Sequence, residues 1–149
     1  MTVSFQKILV ALDASPRAPG VLAVAVDLAH RYSAKLSLFR AVGMPPASEL
    51  QREAMEETPD NVPQMLENHA EHDLVEWSTK VPAGLLGKVS VHIGTAWQAI
   101  CRAAEEEGAD LIVLGSHGYG GLDVILGTTA AKVVNHAERS VLVVRHPKT

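Results

Sequence analysis

Short apolar runs without polar interruption constrain this chain more than any other feature. Ile8-Leu9-Val10-Ala11-Leu12, Leu111-Ile112-Val113-Leu114 and Val141-Leu142-Val143-Val144 are each strand-length, and Leu36 to Val42, interrupted by Ser37 and Arg40, reads as a further strand. Continuous rather than alternating apolarity marks a strand covered on both faces, the situation inside a parallel sheet. A parallel sheet needs crossover connections, and the intervening segments have helical spacing. Val21, Leu22, Ala25, Leu28, Ala29 and Tyr32 fall on one helical face. Asn61 with Pro63 reads as a helix start, and Val62, Met65, Leu66, His69, Leu74 and Trp77 give an amphipathic helix to about Ser78, ended by Pro82, Gly84 and Gly87. Val89, Val91 and Ile93 alternate with Ser90 and His92, predicting a strand with one exposed face at a sheet edge. Thr95 with Gln98 predicts a capping box for a helix carrying Trp97, Ile100, Cys101 and Ala104 inward, and Gly108 a C-terminal cap. A last helix is expected from about Thr129 to Ala137. Residues 43 to 61 show no period.

The order βαβαβαβαβ implies a doubly wound α/β open sandwich, a five-stranded parallel sheet with about four helices and right-handed crossovers. At 149 residues one domain over 1–149 is expected. In such sheets ligands bind beyond the carboxyl ends of the strands, where the strand order reverses. Asp13, Ala41-Val42 and Gly115 all lie at predicted carboxyl ends.

The most distinctive loop lies there as well. Gly115-Ser116-His117-Gly118 follows a buried run, and Gly127-Thr128-Thr129 opens the next helix, with eight residues between Gly118 and Gly127. A glycine loop leading into a helix N-terminus with two hydroxyls is an anion site: freed N–H groups and the helix dipole favour a phosphate. Leu122, Ile125 and Leu126 can anchor the connecting piece on the core. No Lys precedes Thr128, so this is not a Walker A loop, and its place late in the chain does not fit the dinucleotide fingerprint.

Other residues keep two readings. Asp13, beside Ser15, is either a turn aspartate or a carboxylate accepting from a ribose or base; Ala41 and Val42 would wall the base. His69 and His72 are three apart and could clip a metal, but a solvated helix face with no third ligand fits them better. His117 could touch phosphate. Cys101 lies on an apolar helix face and is expected to pack. No Ser-His-Asp or paired-carboxylate arrangement is visible, so no catalytic residue is assigned.

Composition narrows the classes. A net charge of −4 argues against nucleic-acid backbones, and no apolar run is long enough to cross a bilayer. The start lacks a signal-peptide pattern and one cysteine excludes an intrachain disulfide, so a cytoplasmic location is expected. The wholly apolar final strand, if it forms an edge, needs a cover; a homodimer through Val141 to Val144 is expected.

At Ile8 to Ser15, Ala109 to Gly118, Gly127-Thr128-Thr129 and Ser140 to Arg145 the chain resembles the universal stress protein family, in its ATP-binding subgroup. The resemblance spans nearly the whole chain except about 43 to 85. It implies strand order 3-2-1-4-5, dimerisation through the last strand, and ATP or another adenine nucleotide as ligand, with Mg²⁺ carried by the nucleotide. Asp13 would sit near the ribose and base, with Ser15 also among the ATP-binding residues; Ala41 and Val42 would frame adenine, Gly115, Ser116, His117 and Gly118 would wrap ribose and phosphates, and Gly127, Thr128 and Thr129 would hold the phosphate tail. The family signature G-x2-G-x9-G-(S/T) is one residue longer than the spacing here, and Ala11-Leu12 replaces the polar or proline residues often found before the aspartate. The implied role is a nucleotide-dependent stress regulator with at most slow hydrolysis. Its rivals are a nucleotide-free interaction module of the same fold and, last, an adenylyl-transferring enzyme. Asp13-Ala14-Ser15-Pro16 matches neither the Ser-Gly-Gly-x-Asp-Ser loop nor the His-x-Gly-His pattern of such enzymes.

Overall fold

The computed structural model describes residues 4–43, 62–116 and 126–145. Its elements are β1 (Lys7–Ala11), α1 (Ala18–Tyr32), β2 (Lys35–Val42), α2 (Val62–Ser78), β3 (Leu86–Ile93), α3 (Ala96–Glu107), β4 (Leu111–Gly115), α4 (Thr128–His136) and β5 (Ser140–Val144). The strands form one sheet in the order β3-β2-β1-β4-β5, with every pairing parallel, as the resemblance implied.

The continuous apolar runs of β1 and β4 have the cause proposed for them. Alternate residues of a strand face opposite sides of the sheet, and at these strands both sides are covered, whereas the equally apolar β5 stays partly exposed. Ile8, Val10, Leu36, Leu38 and Val113 pack with Val21, Leu22, Ala25 and Ala29 of α1 and Leu74 of α2. Leu9, Phe39, Ile112 and Leu114 pack on the other side with Ala99, Ile100 and Ala104 of α3 and Ala130 and Val133 of α4. Leu9, Val10, Ile112 and Val113 are 0% exposed, so the β1–β4 pair is the centre of both cores.

Several local expectations differ from the outcome. β3 begins at Leu86, and Gly87, expected to close the preceding helix, lies inside the strand. β3 does lie at an edge. Thr95 occupies the N-cap of α3 but makes no side-chain capping bond, so the box with Gln98 does not form. The helix start is held instead by main chain, with the Ala99 amide donating to the Thr95 carbonyl at 3.0 Å. Tyr32 and Met65, expected on apolar faces, are exposed. Tyr32 covers Phe5 edge-on, with ring centroids 5.2 Å apart, which shields one ring but leaves the other wet. Asn61, Leu122 and Ile125 lie outside the described residues, whereas Leu126 packs against the second core as expected.

α3 ends as its sequence predicts. Gly108 sits at φ 67°, and its amide and that of Ala109 turn back to the last carbonyls of the helix. A Cβ at Gly108 would meet nothing within 4 Å, so only backbone strain opposes a side chain there. Gly108→Ala is therefore expected to cost about 1–2 kcal/mol in denaturant unfolding without changing the fold. Unchanged stability would show that the left-handed cap is not what Gly108 supplies.

Candidate functional site

Every crossover returns to the same end of a parallel sheet, so the carboxyl ends of β1, β2 and β4 open together. A recess of about 320 Å³ lies there, on the side covered by α3 and α4. Asp13 and Ala41 border it from β1 and β2, Gly115 from β4, and Gly127, Thr128 and Thr129 from the start of α4. Six of the residues expected to form a site thus converge on one hollow, although they are scattered over more than a hundred positions of chain.

The start of α4 gives the recess its electrostatic character. Gly127 is the N-cap residue, with no side-chain cap and no acidic residue in the first turn. The first amides of any helix lack intrahelical acceptors, and the dipole makes that end positive. Two threonine hydroxyls add donors beside them. Such an end is suited to an oxygen-rich anion.

Ser116 acts from behind. It is buried, its amide donates to the Val144 carbonyl at 3.0 Å, and its carbonyl accepts from the Gly127 amide at 3.2 Å. It therefore ties β4, β5 and the helix start into one piece rather than lining the recess. A second tie holds α4 onto α3. Trp97 stacks on His136 with ring centroids 4.6 Å apart and planes 28° apart, and the Lys132 ammonium lies 5.8 Å from the same indole.

Asp13 satisfies both of its readings in part. Its Oδ1 accepts from the Ser15 amide at 2.9 Å, and the Ser15 Oγ accepts from the Arg17 amide at 3.2 Å, a turn that fixes the start of α1. The same carboxylate borders the recess and also a neighbouring hollow of about 270 Å³ on the other face of the sheet. Ser15 lines only that second hollow, together with Arg40, which donates to Asp73 at 2.9 Å. Val42 lines neither; its carbonyl accepts from the Gly94 amide at 2.9 Å and so fastens β2 to the turn after β3. His117 and Gly118 lie outside the described residues.

Sequence reasoning missed Ala96 and Ile100 of α3, Leu114 of β4 and Ala130 of α4, which complete the apolar wall. The signal was available for the first two: α3 starts directly after β3, so its first turn must lie at the same end of the sheet.

The remaining candidates carry no chemistry here. His72 lies 3.7 Å from Glu76 on an exposed face of α2, and among the described residues no three His, Cys, Asp or Glu side chains are grouped to hold a metal. Cys101 is partly buried against the second core, and burial pushes its thiol above the usual range, which keeps it out of the reactive thiolate form. Among the described residues no helix is long and apolar enough to cross a membrane.

Comparison with known proteins agrees with this architecture. The model of the universal stress protein family matches residues 4–145. Universal stress protein Sll1388 of Synechocystis is 30% identical over 97% of this chain and 100% of its own length. Among solved structures, MJ0577 of Methanocaldococcus jannaschii superposes with a TM-score of 0.79 at 24% identity, covering 99% of this chain and 100% of that one. A universal stress protein solved in complex with cAMP superposes with a TM-score of 0.67 at 23% identity, covering 96% of this chain and 98% of that one. This chain belongs to the universal stress protein family.

Proposed function

We propose that this protein is a cytoplasmic ATP-binding stress-response regulator or sensor. The observation that carries the reading is the opening of the uncapped N-terminus of α4, with Thr128 and Thr129, onto the recess bordered by Asp13 and Ala41. The phosphate tail would lie on the α4 amides and threonine hydroxyls, with the ribose and phosphates along Gly115, while Ser116 holds that turn from behind. The adenine would lie towards Ala41, and Asp13 would meet the ribose and base. The cAMP complex of a protein with this fold supports an adenine nucleotide as the ligand class. Mg²⁺ would arrive with the nucleotide and offset the repulsion between its phosphates and Asp13.

The lining also bounds the chemistry. Among the described residues that line the recess Asp13 is the single acidic one, and none is a histidine. Those residues pair no acid with a base and activate no nucleophile, so in this reading hydrolysis is slow and binding itself is the signal.

Assembly belongs to the same proposal. The two sheet edges differ. β3 carries the exposed Lys88 and a register irregularity opposite Leu36 and Leu38, both of which discourage further strand pairing. β5 reads Ser-Val-Leu-Val-Val, has no charge, and leaves Leu142 36% exposed. A second copy pairing along Val141 to Val144 would cover that edge.

Two measurements follow. Replacing both hydroxyls in Thr128→Val/Thr129→Val keeps the branched shape and removes two donors to a charged group. Calorimetric titration with ATP and magnesium should show affinity reduced roughly tenfold or more. Unchanged affinity would place the nucleotide elsewhere, and no heat with either protein would favour the nucleotide-free interaction module. Leu142→Lys puts a charge on the bare edge. Light scattering should give twice the chain mass for the parent protein and the single-chain mass for the variant, whereas a concentration-independent monomer in the parent would exclude the dimer.

A further inference from the structure

The opposite end of the sheet holds a second recess, about 440 Å³, between the amino ends of β1, β2 and β3 and the last turn of α3. Its apolar floor includes Ile8 and Ala109, at 1% and 4% exposure, and Leu86. Lys7, Lys35 and Lys88 stand around it, each from a different strand, and Glu107 forms part of the wall. The net charge of the whole chain is −4, so three ammonium groups at one hollow run against the background.

Lys88 and Lys7 act on the Glu107 carboxylate, and three ammonium groups against one carboxylate leave the hollow with surplus positive charge. None of the three lysines makes an ion pair among the described residues. The Lys35 Nζ donates to the Gly84 carbonyl at 2.8 Å, the Lys7 Nζ lies 3.5 Å from the Glu107 main-chain oxygen, and the Lys88 amide donates to the Ser37 Oγ at 3.2 Å while its ammonium acts on the Glu107 carboxylate. The Glu107 Oε2 is enclosed and lacks a hydrogen-bond partner among the described residues. Burial pushes the Glu107 carboxyl up; Lys88, the Ser37 hydroxyl and Lys7 pull it back, while Glu106 adds to the rise. Gly87 lets β3 approach closely here, since a Cβ would come within 2.9 Å of the Ser37 Oγ.

We propose that this recess binds a small carboxylate with a compact apolar body, its head between Lys35, Lys88 and Lys7 and its body on Ile8, Leu86 and Ala109. Leu86, half-buried, supplies the apolar surface for the body, backed by Ile8 and Ala109, which are already sealed. The head is a single carboxylate rather than a phosphate because α3 presents its carboxyl end here. The dipole at that end is negative, and no helix N-terminus offers amides to a denser charge. The site is independent of the nucleotide reading and lies at the other end of the sheet.

The test is an amide proton–nitrogen NMR titration of the full chain with benzoate as probe. Saturable shifts are expected at Ser37, Gly87 and Lys88, with little change at Thr128 and Thr129. Lys35→Gln/Lys88→Gln should weaken binding at least tenfold, and Glu107→Gln, which removes the one negative charge from the lining and keeps its shape, should tighten it several-fold. Inorganic phosphate at equal concentration should bind more weakly than benzoate. Linear shifts, a double variant that binds as the parent does, weaker binding by Glu107→Gln, or phosphate matching benzoate would each overturn the proposal.

Discussion

Burial of the β1–β4 pair on both faces is the constraint from which the rest of the molecule follows. Leu9 and Ile112 face one helix pair while Val10 and Val113 face the other, and all four are sealed from water. A strand pair covered on both sides cannot be linked by a hairpin, because parallel neighbours require a crossover. β1 passes to β2 through α1 on one face, and β4 passes to β5 through α4 on the other. The chain therefore departs in opposite directions from the centre of the sheet, and the strand order reverses between β1 and β4. The recess bordered by Asp13, Gly115 and Thr128 lies where that divergence leaves a gap. An opening at this position is a by-product of how the core is covered.

The same covering leaves the sheet ends unequal. At the amino end Asp110 closes the β1–β4 gap: its carboxylate accepts from the Gln6 and Lys7 amides at 2.9 and 3.2 Å, and its own amide donates to the Lys7 carbonyl at 2.9 Å. At the carboxyl end Ser116 ties β4 to β5 and to the start of α4. The centre of the sheet is thus stitched at one end and open at the other. The helix dipole, which needs a water-poor neighbourhood to act strongly, is aimed at the open end.

Much of this was legible in the chain because it depends on periodicity. The runs around Leu9, Leu38 and Ile112 announce two-sided burial, and the position of Gly127-Thr128-Thr129 after such a run announces a helix start at the carboxyl end of the sheet. What could not be read depends on three-dimensional neighbours. Thr95 and Gln98 have the spacing of a capping box, yet the main chain alone satisfies the helix start. Gly87 looks like a helix terminator and is instead the place where β3 must pass close to Ser37. Ser116 sits in a glycine-rich stretch that reads as ligand-facing, but its backbone is committed to β5 and α4. Tyr32 fits an apolar helix face, and only its edge contact with Phe5 shows why it remains half in water. The amino-end recess had no sequence signal at all, because Lys7, Lys35, Lys88 and Glu107 come together only through the register of three strands.

The central claim is that the opening between β1 and β4 holds an adenine nucleotide. The most direct measurement is to purify the protein without added nucleotide, denature it and separate the supernatant by ion-pair chromatography. The account predicts released ATP or ADP approaching one per chain. No nucleotide in the supernatant, together with no binding of ATP and magnesium to the purified protein, would contradict it.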